Sequence, residues 1–305
     1  MKHSYSKIAL ALVFVGSALL INTAHAESLV AINSSNQYSV FDTANVVGAS
    51  FANITGLAVN ESFIGIDLRP STNTVYGIST FNRVYTLDTT SGAVSFVAAL
   101  SAPIYDAPAR LGYGLDFNPI LDRTTPASLR VVTSAGSNLA VNVLTGDVAT
   151  QTPIASGFTG IAYNNSDPSQ AGAPAEIDLY YINSNTDRLA EALTGFANPQ
   201  IDDIGPLGFD ILKSNGYEIL GNNNSYAAVN LDGGTLDTFL LSVNLDTGVG
   251  TNLGRFNGTI NGLAGAPLNL VAPSEVPVPA ALPLMAYIRK RGSSGYEFVP
   301  APFQF

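Results

Sequence analysis

The chain has 305 residues, 46% of them apolar and only 12% charged, with 23 acidic against 13 basic side chains and a net charge of -10. It contains no Cys and no Trp, and its two histidines, His3 and His25, both fall within the first 26 residues. Disulfides and thiol nucleophiles are therefore excluded, and the scattered basic residues give no patch for nucleic acid or anionic lipid.

At the N-terminus Lys2 and Lys7 precede the apolar run IALALVFVGSALLI, and Ala24 and Ala26 form a small-residue A-x-A site. This is the pattern of a secretory signal peptide over residues 1–26, since the run is shorter than the roughly twenty residues that span a bilayer. Cleavage there removes both histidines and both lysines, so the mature chain would carry -12 and no imidazole. A Ser-His-Asp or Cys-His mechanism and a His-ligated metal are then excluded by inventory. The expected localisation is periplasmic, cell-surface or extracellular.

From residue 27 to 271 the chain reads as short β segments separated by turn residues. SLVAINS at Ser28 and YSVFDTANVVGASF at Tyr38 come first. IGIDLRP at Ile64 follows, then TVYGIST, RVYTLDT, the turn Asp88, Thr89, Thr90, Ser91, Gly92, and AVSFVAAL. The alternation and the Asp and Gly of the turn predict hairpins. The hairpin returns in LAVNVLTGDVATQT from Leu139 and SVNLDTGVGTNL from Ser242. The leading strand returns as YGLDFNP at Tyr113, TGIAYNN at Thr159, LGFDILK at Leu207 and NGLAGAP at Asn261, each with Gly just before an apolar position. A four-strand unit repeated about every forty to fifty residues predicts a five-bladed β-propeller, all-β. NGLAGAP, the spare leading strand, is expected to close the ring by pairing with the blade that begins at Ser28. A six-bladed ring, with an extra blade within Lys213 to Thr238, and a β-sandwich remain as alternatives.

The GIDLRP and YGLDFNP strands, YGI at Tyr76 to Ile78, the DTTSG and DTG hairpins and GFDIL at Gly208 to Leu212 together resemble the family called domain of unknown function 4394. This is an exported bacterial domain related in pattern to lactonase-like and quinoprotein-like propellers. The resemblance covers nearly all of Ser28 to Pro267 and implies a propeller, but it brings no catalytic residues. Beyond it, residues 272–305 read as a Pro-rich linker and a tail. VPVPAALPLM at Val276 to Met285 resembles the start of a PEP-CTERM sorting signal, yet only Ala286, Tyr287 and Ile288 separate it from Arg289, Lys290 and Arg291. Three residues cannot cross the hydrocarbon core, so the signal is degenerate and no stable membrane span is expected in the mature form.

Asp67, Asp116 and Asp210 occupy one motif position in three leading strands, with Ala162 and Ala264 in the other two. If these strands line a propeller axis, the carboxylates fall at one depth. Two readings stay open: structural acceptors of backbone amides, or ligands of a cation, for which Ca²⁺ suits hard oxygen donors without His. Arg69 is a candidate neutralising partner. Asp202 with Asp203 and Asp232 with Asp237 are further acidic candidates for a loop calcium or a glycosidase pair. Tyr163, Tyr180, Tyr181 and Tyr226 could offer a stacking face to sugar. Two functions follow: an exported non-catalytic monomer that binds an extracellular polysaccharide or matrix protein, with no cofactor apart from Ca²⁺, or a carboxylate- or metal-dependent hydrolase of lactonase-like or glycosidase-like type.

Overall fold

The computed structural model describes residues 26–106, 111–124, 128–231, 237–268, 287–290 and 296–299. The predicted signal peptide and most of the predicted tail lie outside them. Twenty strands form five four-stranded antiparallel sheets arranged as the blades of a propeller. The sequence repeat is thus one blade per copy.

Blade 1 holds β1 (Ser28–Asn33), β2 (Gln37–Asp42) and β3 (Ala52–Asn53). Blade 2 is β4 (Phe63–Arg69), β5 (Thr74–Ser79), β6 (Arg83–Leu87) and β7 (Val94–Ala99). In blade 3, β8 (Tyr113–Phe117), β9 (Ser128–Thr133), β10 (Asn138–Asn142) and β11 (Val148–Thr150) follow the same order. Blade 4 comprises β12 (Phe158–Tyr163), β13 (Leu179–Asn183), β14 (Arg188–Ala192) and β15 (Asp202–Pro206). Blade 5 is β16 (Ile211–Ile219), β17 (Ser225–Leu231), β18 (Thr238–Val243) and β19 (Gly250–Arg255). The last propeller strand, β20 (Ile260–Gly265), pairs with β1 in the register Leu29 to Gly265, Val30 to Ala264 and Ala31 to Leu263. Blade 1 therefore joins both ends of the domain, and the ring closes without leaving the inner edge of β1 unpaired. A separate two-stranded hairpin pairs β21 (Tyr287–Lys290) with β22 (Tyr296–Val299). Among the described residues no helix is long and apolar enough to cross a membrane.

Local chemistry sets the turns. Between the second and third strands of four blades a residue sits in the left-handed region: Asn36, Asn82, Gly136 and Asp187, with φ of 55°, 55°, 94° and 57°. These are the residue types that reach positive φ at least cost. In the next turns Asp88 Oδ1 accepts from Thr90 N and Asn244 Oδ1 accepts from Asp246 N and Thr247 N, side-chain mimics of a backbone turn. Gly92, Gly146 and Gly248 then take positive φ and donate back four residues to Asp88, Asn142 and Asn244 carbonyls.

The core is divided into five apolar layers, one between each pair of neighbouring blades. Ile78 and Val84 of blade 2 meet Phe117 and Val131 of blade 3. Ile182 and Leu189 of blade 4 meet Tyr217 and Val229 of blade 5, and Val30 and Ile32 of blade 1 meet Ile66 and Val75 of blade 2. Both faces of each blade are buried, so inner and middle strands read as near-continuous apolar runs, as in the fully buried β12.

At the centre, β4, β8, β12, β16 and β20 touch in ring order. Each carries a Gly at the same level: Gly65, Gly114, Gly160, Gly216 and Gly262. A Cβ at Gly114 would lie 2.8 Å from Ile161 N, one at Gly216 2.5 Å from Leu263 N, and one at Gly262 3.0 Å from Ile66 N. The missing side chain is what lets the inner strands approach backbone to backbone. Gly114→Ala is accordingly expected to cost about 1–3 kcal/mol through overpacking, read as a lower melting temperature. Gly172→Ala, where a Cβ would meet nothing within 4 Å, should leave the melt unchanged.

Candidate functional site

Two residues beyond the glycine level, strand alternation returns side chains to the axis. These positions are Asp67 on β4, Asp116 on β8, Ala162 on β12, Glu218 on β16 and Ala264 on β20. Asp67, Asp116 and Glu218 are 4%, 1% and 3% exposed, and one carboxylate oxygen from each lies within 4.8 Å of those of the other two.

Glu218 stands where Asp210 was expected. Asp210 is exposed, lies before β16 and does not join the axial group. The motif occurs twice in nearly the same form, GFDIL at Gly208 and GYEIL at Gly216, and packing distinguishes the copies. A Cβ on Gly208 would meet nothing within 4 Å, whereas one on Gly216 would strike Leu263 of the neighbouring inner strand. The axial copy must be the one whose glycine is crowded. Register shifts in β16 on either side of Lys213 and Ser214 bring Gly216 and Glu218 into place.

Each axial carboxylate reaches forward to the next blade in the ring. Asp67 Oδ2 accepts from Phe117 N at 2.7 Å, Asp116 Oδ1 from Tyr163 N at 3.1 Å, and Glu218 Oε2 from Gly265 N at 2.8 Å. In every case the donor follows the neighbour's own axial residue. Asp67 Oδ1 also accepts from Leu68 N at 2.7 Å. The carboxylates thus act as staples between blades 2 and 3, 3 and 4, and 5 and 1. The Ala162 and Ala264 positions have no side chain that could do the same.

Their electrostatics are one-sided. Burial, followed by repulsion from Asp116 and Glu218, holds the Asp67 carboxyl well above the usual carboxylate range. Burial and the Glu218 charge do the same to Asp116. Burial pushes Glu218 up to about 7 against the lowering effect of the Gly265 amide. No Lys or Arg is among the groups acting on the three. Arg69, considered as a neutralising partner, instead binds Asp122 through Nε at 2.6 Å and contacts the Tyr76 hydroxyl. Three buried acids without a counter-charge must hold protons or a cation.

Of the three, Glu218 borders a cavity. A cavity of 460 Å³ opens on the face where the innermost strands end, and Glu218 forms part of its wall beside Leu68 and Gly265. Glu27 and Asp167 add carboxylates to the rim, and among the described residues no basic side chain lines it.

The remaining acidic candidates are committed elsewhere. Asp203 pairs with Arg188 and Asp237 with Arg255, both at exposed positions. Asp202 accepts from Gln200, and Asp232 lies outside the described residues. Of the tyrosines, Tyr163 and Tyr181 are buried in the core, so neither can stack on a ligand. Tyr180 and Tyr226 line a second cavity.

The profile of the family described as Domain of unknown function (DUF4394) matches residues 37–264. The chain belongs to this family. The match runs from the start of β2 to Ala264, the last residue but one of β20, and so includes every strand that contributes to the axis. No curated protein sequence matches the DUF4394 chain. Among solved structures it is similar to a calcium-binding protein, regucalcin, from Agrobacterium tumefaciens, at 13% identity and a TM-score of 0.38 over 76% of this chain and 74% of that one. It is also similar to a putative 6-phosphogluconolactonase from Bacteroides uniformis, at 9% identity and a TM-score of 0.39 over 76% and 82%. A protein of unknown function from Bacteroides thetaiotaomicron aligns at 14% identity and a TM-score of 0.42 over 90% and 67%.

The raised axial pKa values give a signed expectation. A carboxyl that binds its proton more tightly folded than unfolded stabilises the fold fully below its unfolded pKa, and that contribution is lost as pH rises through the folded value. For Glu218 this window runs from the ordinary glutamate value of 4.5 to about 7. Thermal melts in chelator should show stability falling across this window, and Glu218→Gln should flatten the fall.

Proposed function

We propose that the chain is an exported, non-catalytic binding propeller that holds a hard divalent cation, Ca²⁺, at its axis. The observation that carries the reading is the convergence of Asp67, Asp116 and Glu218 within 4.8 Å of one another, buried and without a cationic side chain. Ca²⁺ takes carboxylate oxygens at about 2.3–2.6 Å and completes its shell with carbonyls and water. Because such ligands bind deprotonated, cation and proton compete for the same oxygens, and affinity should rise with pH. The amide staples favour the site by holding each carboxylate in place before the ion arrives. Export rests on the Lys2, Lys7, apolar-run and Ala24-x-Ala26 pattern.

The hydrolase reading has one specific support. Glu218, with its proton held to about 7, faces a cavity, the arrangement of a carboxylic general acid. Against it, all three carboxylates already accept backbone amides, and the mature inventory offers no imidazole to serve as the partner base.

Calorimetric titration of the mature chain with CaCl₂ tests the binding reading. Saturable binding at pH 7.5, accompanied by proton release and weakened at pH 5, is expected. At about a hundred times Kd the ion should stabilise the fold by about 2.7 kcal/mol, which raises the melting temperature by about 5–10 °C. Asp116→Asn should abolish this gain while leaving a cooperative melt. Absence of any calcium effect in calorimetry and melting, with hydrolysis of a lactone or glycoside that Glu218→Gln removes, would establish the hydrolase instead.

A further inference from the structure

We propose that the cleft between blades 4 and 5, beside the axial cavity, is a binding site for a neutral saccharide. This rests on the reading of the chain as a binding propeller and not on the axial cation.

The cleft encloses 600 Å³, within the roughly 300–1,000 Å³ of small-molecule sites. It opens on the same face as the axial cavity, and the turn Gly221 to Asn224 forms the ridge between them: Gly221 and Asn222 line one side, Asn223 and Asn224 the other. One wall is Tyr180 of β13; the opposite wall is the turn after β18, with Asn244, Asp246 and Val249.

Tyr180 is the observation that points to a ligand. It is only 8% exposed, and its hydroxyl, which is not among the buried atoms that lack a partner, stays accessible where the ring lines the cleft. Phenols deep in the core bind a protein partner, as Tyr85 does on Glu61 and Tyr217 on Ser225. Tyr180 instead borders a cavity, where a ligand oxygen could accept its proton. Burial, reinforced by Asp178, Glu191 and Asp246, raises this hydroxyl to about 12, so it remains a donor.

The rest of the wall supplies what a sugar ring asks for. The Asp246 carboxylate carries no salt bridge and is free to accept from ring hydroxyls, while its backbone amide is held by Asn244 Oδ1. Thr247 donates to the same oxygen through both N and Oγ1, which leaves the Asn244 turn rigid. Leu245 and Val249 provide apolar surface for the C–H face of a ring. Across the cleft Asn165 N donates to Asn223 Oδ1, tying the turns of blades 4 and 5 together and pre-forming the site.

Charge selects the class. Among the described residues no Lys or Arg lines the cleft, and the charges of Asp178, Glu191 and Asp246 act on the Tyr180 hydroxyl. Uronates, sulfated sugars and phosphates would be repelled, whereas uncharged hydroxylated rings meet donors, acceptors and an aromatic side chain.

The test titrates the mature chain, by calorimetry and by NMR, with cellotriose, maltotriose and xylotriose at millimolar concentrations, and with trigalacturonate as the charged control. Each series is run once in calcium and once in EDTA. At least one neutral trisaccharide is expected to bind under both conditions and trigalacturonate not to bind. Tyr180→Phe removes one hydroxyl with its packing kept, and should weaken binding by roughly two- to tenfold without moving the melting temperature. Asp246→Ala, at an exposed turn, should weaken it by a similar factor. Failure of all three neutral sugars to bind, equal binding of trigalacturonate, or unchanged affinity in both variants would overturn the proposal. Binding that requires calcium and is lost in Asp116→Asn but not in Tyr180→Phe would place the ligand at the axis and overturn it equally. A calcium titration that fails while saccharide binding persists in EDTA would remove the axial cation alone.

Discussion

Everything at the centre of this propeller follows from how closely five inner strands approach one another. A ring of only five blades has a narrow axis, and its innermost strands meet at a level where Gly65, Gly114, Gly160, Gly216 and Gly262 present no side chain. At Gly216 and Gly114 a methyl group would fall within 2.5 and 2.8 Å of a neighbouring backbone nitrogen. Such crowding cannot be relieved by rotating a side chain, because the obstacle is main chain. The glycines therefore set the radius of the ring, and the radius sets how near the next layer of side chains must come.

That next layer carries the chemistry. Strand alternation places Asp67, Asp116 and Glu218 one step along the axis, and the narrow ring brings their oxygens together while shutting out most water. The amides of Phe117, Tyr163 and Gly265 offset part of the cost of burying them, each from the neighbouring blade. The same groups thus hold blades together and generate a cluster of negative charge with no cationic side chain to balance it. A structural role and a cation-binding role are compatible in this geometry, because a carboxylate oxygen that accepts one amide retains a second lone pair.

Ring closure completes the arrangement. β20 supplies both the inner strand of blade 1 and the Gly265 amide that binds Glu218, so the chain's last propeller strand bonds to its first blade and to the axial group at once. The two cavities sit at the end of the inner strands, where successive turns converge from blades 1, 4 and 5. One is bordered by Glu27, Asp167 and Glu218; the other is lined by amides, hydroxyls, Asp246 and Tyr180. The turn from Gly221 to Asn224 keeps the two cavities apart on this face.

The blade count, the four-strand unit, the turns and the closure by NGLAGAP are all legible in the sequence, because each rests on local rules: two-residue alternation, Asp or Asn side chains that mimic a turn, and Gly or Asn where φ is positive. Asp67 and Asp116 were legible for the same reason, since they sit in strands whose motifs have no competitor nearby. The fourth axial position was not. GFDIL at Gly208 and GYEIL at Gly216 satisfy the local pattern equally well, and Asp matches the other copies better than Glu does. Only the packing of β16 against β20 decides between them, by crowding Gly216 against Leu263 and leaving Gly208 open. The fates of Arg69, drawn to Asp122 on the following blade, and of Tyr180, left at a cleft while Tyr163 and Tyr181 vanish into the core, were settled in the same way. Sequence determined which segments become strands and turns; which side chains face the axis, the core or a cavity depended on contacts between blades far apart in the chain, and those exist only once the ring is closed.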